Sequence, residues 1–337
     1  MPPIDVLASY PWYVDHVRPV WLALPPEVRG RFYVSQRSVH AAAGLPGVMT
    51  GRPGGEVRPI YTVSFGDFRS ARMLGRQSIA LGQHGAGQSY SNDYPAYPGG
   101  RGQGEVSLFL VPNETAARRT RAAYPRARVE IVGCPKLDTL PTKDRDGAPV
   151  IAFSFHWNSK SIAPETTSAW EHYQRAIILL SRHRHVLGHA HPREMFKIGR
   201  WYQRANIEVV TSFDDVLRRA DVYACDNSSS LFEFAATGRP VVVLNHPAYR
   251  RNVEHGLRFW AAAGIGVNVD DHLKLGAAVE RAIEDPPEMR AAREKALRIV
   301  YQPLRGGAEL AAAALVDWAN SQAPEARRRA QRERRIR

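Results

Sequence analysis

Cysteine is scarce: the 337 residues contain only Cys134 and Cys225. Two widely separated thiols build neither a disulfide framework nor a zinc site, and they suit a reducing compartment. Lysine is scarcer than the charge suggests. Of the 46 Lys and Arg residues only 6 are lysine, so 40 arginines and 33 acidic residues give a formal charge of +13. No run of about 18 or more apolar residues occurs, which excludes an α-helical membrane span. The opening residues, Met1 to Asp5, lack the basic stretch and apolar run of a signal peptide. A cytoplasmic place is expected, peripheral to a membrane if the basic charge is used there.

That charge favours a polyanionic partner: a phosphate-rich polymer, an anionic membrane face or DNA. The plainer alternative is compositional bias toward arginine. Seven arginines fall in the last eleven residues, Arg327 to Arg337, and a solvated extension accounts for them equally well.

Short apolar runs alternate with helical spacing along the whole chain, which indicates an α/β protein with mainly parallel sheets. Strands are expected at Ile4–Ser9, Arg31–Ser35, Ile60–Ser64, Ser78–Gly82, Ser107–Val111 and Val129–Val132, with helices at Asp15–Leu24 and Asn113–Ala123. The polar, Pro- and Gly-containing stretch at 140–149 reads as a linker. Beyond it, strands are expected at Val150–Ser154, His185–Gly188, Ile207–Val210, Val222–Ala224 and Val241–Leu244. Helices are expected at Glu165–Ser181, Leu273–Glu284, Glu288–Val300 and Ala308–Asn320. The expected division is an N-terminal domain over 1–139, a C-terminal domain over 150–322 and an Arg-rich tail over 323–337. Ligands of such sheets sit beyond the carboxyl ends of the strands.

The richest segment follows the strand at Val222. A polar turn, Asp226, Asn227, Ser228, Ser229 and Ser230, leads into a helix with Leu231, Phe232, Glu233 and Phe234, and Gly238, Arg239 and Pro240 end it. Free N–H groups and the dipole of a helix start suit a diphosphate. Ordinary capping needs one such residue and this turn has five, which favours phosphate binding. Cys225 beside it is expected to be an inert core residue. Upstream, His84 sits in the Gly-rich turn from Gly82 to Gly87, where a histidine titrating near neutrality can take a proton from a hydroxyl. Asp93 is a rival base, and its loop, with Gln88 and Tyr90, is a candidate acceptor-binding lid. His183, His185, His189 and His191 crowd one segment, but Gly188 and Pro192 break its regularity and no carboxylate cluster matches it, so no metal is assigned.

These residues carry a resemblance. The run from Asp226 through Ser229, Phe232, Phe234 and Pro240 resembles the serine motif of the CDP-glycerol glycerophosphotransferase family of wall teichoic acid and capsule polymerases. Gln83-His84-Gly85, Gly133 to Asp138, and His191-Pro192 resemble three further motifs of that family, and all four come in the family's order. A looser likeness extends to UDP-N-acetylglucosamine 2-epimerases. Gln83, Ala86, Ala190 and Asn227 stand where the family usually has other residues. The resemblance implies the GT-B fold, two Rossmann-like domains with a ligand cleft between them. It further implies a metal-independent transferase without a resident cofactor, whose substrate is a CDP- or UDP-linked donor. His84 is then the general base. His191 and His189 reach the donor phosphates, His156 after the first strand of the second domain contacts the nucleotide, and Glu233 binds a donor hydroxyl. Gly85, Gln88 and Tyr90 lie on the acceptor side.

Three functions stay open, and a fourth, an epimerase, is disfavoured because the acidic cluster expected of such a family is not evident. The first is transfer of glycerophosphate or another polyol phosphate to a polymer hydroxyl. The second is transfer of a nucleotide sugar, with hydroxymethylated DNA bases among the acceptors. The third is nucleotide binding without catalysis.

Overall fold

Strands that run parallel need crossover segments, and a run such as Val241 to Leu244 offers no polar face to water. The sequence therefore builds sheets covered by helices on both sides. A computed structural model describes residues 2–53, 58–73, 78–86, 105–144, 147–158, 164–250 and 264–336, and of 323–336 the backbone alone. It divides into two units. One takes the described residues up to Thr139 and again from Tyr301 onward; the other runs from Leu140 to Val300.

In the first unit the strands are β1 (Ile4–Ala8), β2 (Arg29–Val34), β3 (Val48–Thr50), β4 (Ile60–Thr62), β5 (Ile79–Gly82), β6 (Val106–Val111) and β7 (Arg128–Ile131). They pair in parallel in the order β3-β2-β1-β4-β5-β6-β7. The chain steps outward from β1 to β3, then crosses to β4, so its direction reverses between β1 and β4. Helices α1 (Pro11–Ala23), α2 (Phe65–Met73) and α3 (Glu114–Ala123) cover the sheet. Asn113 caps α3 as its sequence suggests, its side-chain oxygen accepting from Ala116 N at 2.8 Å.

The second unit repeats the plan. Its strands are β8 (Val150–Ser154), β9 (His185–Gly188), β10 (Glu208–Val209), β11 (Val222–Cys225), β12 (Val241–Leu244) and β13 (Val267–Val269). They run parallel in the order β10-β9-β8-β11-β12-β13, with the reversal between β8 and β11. Helices α4 (Trp170–Ser181), α5 (Met195–Arg204), α6 (Phe213–Arg219) and α7 (Ser230–Ala235) lie between successive strands from β8 to β12, and α8 (Leu275–Glu284) and α9 (Pro287–Val300) follow β13. The described linker residues are fastened to this unit, with Lys143 Nζ 2.5 Å from Asp221 and Asp144 N donating to Arg218 O at 2.9 Å.

One domain boundary differs from expectation. The chain from Tyr301 belongs to the first unit, not to a second domain ending at 322. A single helix, α10, runs Gly307–Ile336, and it takes in the expected tail. Its Ala311, Ala312, Leu315, Trp318 and Ala319 join the core formed by α1 and one face of the first sheet. Trp318 Nε1 donates to Ser107 Oγ at 2.9 Å. The turn from Gly133 to Asp138 receives the returning chain: Asp138 accepts from Gly306 N at 2.8 Å and Ala308 N at 2.7 Å. A side chain at Gly133 would meet Pro303 O at 2.1 Å, and one at Gly307 would meet Val132 O at 2.5 Å. The apolar stripe of α10 is plain in sequence, but a stripe does not say which sheet it covers.

Candidate functional site

Where a parallel sheet reverses direction, the loops after its two central strands part and leave a crevice at their carboxyl ends. In the second unit those loops follow β8 and β11. They are His156 to Asn158 and Asp226 to Ser230, two of the segments singled out in sequence.

Asp226 ties them together. It is fully buried and accepts from His156 N at 2.9 Å, Ala169 N at 3.0 Å and Ser168 Oγ at 3.3 Å. Its carboxylate thus orders the loop after β8 and the start of α4 instead of facing a ligand. Asn227 is buried beside it, donating to Thr167 O at 3.4 Å. The three serines are half-buried. Ser230 Oγ lies 2.8 Å from both Ser228 Oγ and Tyr223 Oη, so these two serines are knit to β11. Ser229 occupies the cap position of α7 and makes no side-chain capping bond. Glu233, in the first turn of α7, is buried.

The histidines divide by environment. His189 turns inward, buried, with Nδ1 2.7 Å from Ser154 Oγ, so it braces β8 against β9 and is not placed like a phosphate ligand. His191 is half-buried. Its Nδ1 accepts from Arg193 N at 3.2 Å, which in the neutral ring puts the proton on Nε2 and makes that nitrogen a donor. His156 donates from Nδ1 to Trp157 O at 3.1 Å, and burial, then the Arg193 charge, push its pKa down to about 4 against the pull of that bond. The rings of His156 and His191 meet edge-on at 5.2 Å, and Arg193 stacks over Trp157 at 4.8 Å. Arg193 was not singled out in sequence. Its position directly after the His-Pro pair was the available signal, and its cation–aromatic stacking is the kind of surface that holds a nucleotide or its phosphates. The four clustered histidines do not converge: His185 pairs with Glu208 at 3.7 Å. Among the described residues no three His, Cys, Asp or Glu side chains are grouped to hold a metal.

In the first unit the crevice loops follow β1 and β4, and His84 follows β5, the neighbour of β4. His84 is exposed, with Nδ1 2.7 Å from Val63 O. A carbonyl only accepts, so Nδ1 carries the proton and Nε2 of the neutral ring is a basic nitrogen. Tyr13 and His16 of α1 stand edge-on to the imidazole, ring centroids 5.3 and 5.8 Å away. Gly85 makes the turn with φ +72°, a left-handed conformation that suits glycine. A side chain at Gly82 would meet Tyr61 Oη at 2.6 Å. Asp93, Gln88 and Tyr90 lie outside the described residues. Sequence reasoning missed Asp67 of α2, which is buried and accepts from Ser9 N at 3.1 Å. The Ser64-x-x-Asp67 spacing was a legible helix-start signature.

No family model matches the sequence, and no curated protein is similar to it. Solved structures are similar in fold. The wall teichoic acid polymerase TagF, in a variant soaked with CDPG, matches with a TM-score of 0.67 at 12% identity, covering 96% of this chain and 90% of the solved chain. A putative UDP-N-acetylglucosamine 2-epimerase from Listeria monocytogenes matches with a TM-score of 0.64 at 14% identity, covering 96% and 97% of the two chains. The UDP-GlcNAc 2-epimerase from Neisseria meningitidis, bound to UDP-GlcNAc, gives 0.60 at 14% identity over 95% and 100%. Among the described residues no helix is long and apolar enough to cross a membrane. Two parallel sheets, each with a central reversal and helices on both faces, together with these likenesses, show that the chain has the GT-B fold.

Proposed function

We propose that the protein is a transferase that moves a group from a nucleoside-diphosphate-activated donor to an acceptor hydroxyl. The observation that carries this reading is the state of His84. Its Nδ1 is anchored on a backbone carbonyl at 2.7 Å and its ring is exposed, the arrangement of a general base whose Nε2 meets an acceptor. In the second unit, His191 and Arg193 supply donors for a diphosphate, Trp157 a stacking face, and the α7 start with Ser229 further donors. This set meets negative charge with protein groups, and the reading assigns no resident metal.

The favoured donor carries a polyol phosphate, as in CDP-glycerol. The order of the four motifs and the likeness to TagF support it. His84 Nε2 takes the acceptor proton, the freed oxygen attacks the phosphorus bearing the glycerol, and the bond to the other phosphate breaks with loss of CMP. A nucleotide-sugar donor is the second reading, supported by the neighbour that binds UDP-GlcNAc. The oxygen then attacks the anomeric carbon and the complete UDP leaves. Product analysis separates them. Incubation with CDP-glycerol is expected to release CMP in proportion to glycerophosphate transferred, and UDP released from UDP-GlcNAc instead would favour the sugar reading.

A further inference from the structure

The chain that leaves β1 at the reversal of the first sheet is aromatic: Tyr10, Trp12 and Tyr13 stand where it turns into α1. Apolar residues of a surface helix normally face the core, and Trp21 of α1 does so, fully buried. Tyr10, Trp12 and Tyr13 stay half-buried, and neither Tyr10 nor Trp12 joins the core that α1 covers. They pack on one another instead. The rings of Tyr10 and Trp12 stack at 4.6 Å, and Tyr13 stands edge-on to both at 5.9 Å. Tyr13 also meets the His84 imidazole edge-on at 5.3 Å, so a single ring separates the stacked pair from His84. Arg37, just past β2, lies over the Tyr10 ring at 4.6 Å. It is exposed, and among the described residues it pairs with no carboxylate.

These groups share a recognition chemistry. Tyr10 covers one face of Trp12, and the other face of the half-buried indole suits a flat apolar surface, with polar atoms at the rims of the rings. A guanidinium stacked on a ring keeps its N–H edge for phosphate. A base alongside requires that the ligand carry a hydroxyl. A sugar ring meets the first and last demands in one group, with a C–H face for the indole and hydroxyls around it. An open glycerol chain has no such face. A hydroxymethylated pyrimidine presents a hydrogen-bonding edge, for which these four side chains hold no amide or carboxylate.

We propose that Trp12, with Tyr10, Tyr13 and Arg37, forms the acceptor subsite and takes a sugar ring that bears a phosphate. The ring lies on the outer face of Trp12, the phosphate meets Arg37, and one ring hydroxyl is offered to His84 Nε2. The fate of that hydroxyl rests on the transferase reading; binding of the ring and its phosphate does not.

The test is titration of the full chain without donor, followed by NMR through the indole N–H signals, with W12F identifying that of Trp12. The probes are glucose 6-phosphate, glucose, glycerol 3-phosphate and 5-hydroxymethyl-dCMP. Glucose 6-phosphate is expected to move the Trp12 signal saturably, and glucose to move it with about tenfold weaker affinity, the scale of a hydrogen-bonded charge. Glycerol 3-phosphate should leave it in place. By calorimetry, W12A should bind glucose 6-phosphate about tenfold more weakly, the scale of one ring stacked on an aromatic side chain. R37Q should bind glucose 6-phosphate no better than glucose. Should W12A not fold, R37Q, changed at an exposed side chain, carries the same test. An unmoved Trp12 signal with both hexoses, a tighter response to 5-hydroxymethyl-dCMP than to glucose 6-phosphate, or unchanged glucose 6-phosphate affinity in W12A or R37Q overturns the proposal. None of these readouts uses turnover. If glucose 6-phosphate binds at Trp12 while neither CDP nor UDP binds the chain, the transferase reading falls and the subsite stands.

Discussion

Replacing His84 with alanine is expected to lower turnover by about 10²- to 10⁴-fold, the range contributed by a positioned general base. The donor should still bind within about twofold of the wild-type affinity, because the groups assigned to it belong to the second unit. The expectation has a structural reason beyond the residue type. The bond to Val63 O at 2.7 Å fixes the tautomer, so the ring presents a basic nitrogen without first reorganising. The side chain is exposed and Ala86 beside it is buried, so trimming it at the surface leaves the core intact. Steady-state kinetics on the full chain, with calorimetric donor titration, checks both halves. Unchanged turnover would remove His84 as the base and return attention to Asp93. Loss of donor affinity with unchanged kcat would make it a binding residue.

The stability of the second unit is expected to fall by about 3 kcal/mol on acidification from pH 6.5 to 4, from His156 alone. Burial lowers its folded pKa from 6.5 to about 4. Between those values the unfolded chain takes up a proton that the folded chain refuses, so stability rises with pH through the window and is lost as pH falls. Above 6.5 both states are neutral and the contribution is constant. His156 donates its backbone N–H to Asp226 and its ring Nδ1 to Trp157 O, so protonation would place an uncompensated charge inside the loop after β8. His156→Gln removes the titration. Urea unfolding from pH 4 to 7.5 should therefore show the wild type losing more stability than the variant, mostly below pH 6. Parallel profiles for the two proteins would mean that the ring is solvated or paired in its charged form.

The architecture was legible in sequence wherever one face or both of a strand had to be dry. Val241 to Leu244 reads as a strand because four consecutive apolar residues cannot alternate, and all four are buried. Short or edge elements were missed: β3 and β13 have three residues each, and neither Val48–Thr50 nor Val267–Val269 carries a run long enough to register. Helix α6 was also missed, although Ser212 accepts from Asp215 N at 3.0 Å in the manner its spacing announces. The return of α10 was not legible, because choosing its partner sheet is a tertiary decision made by Trp318, Asp138 and two close glycine contacts.

At the site, sequence found the loops better than the roles within them. Asp226 and His189 stand in the expected segments, but their side chains point into the fold, where buried donors need acceptors. A polar turn with five hydrogen-bonding residues does not reveal which of them braces the loop. Arg193 and Asp67 lay outside the recognised motifs, since what they meet, Trp157 and Ser9, is set by folding.

Calorimetric titration of the full chain with CDP, UDP, GDP, ADP and dTDP, in parallel with S229A, tests the central claim most directly. The account predicts that CDP or UDP binds without added metal, and that the variant binds it about 1–3 kcal/mol more weakly, the scale of lost hydrogen bonds to phosphate. CDP preference favours polyol-phosphate transfer. Binding of none of the five, or equal affinity in wild type and variant, would contradict a diphosphate held at the start of α7.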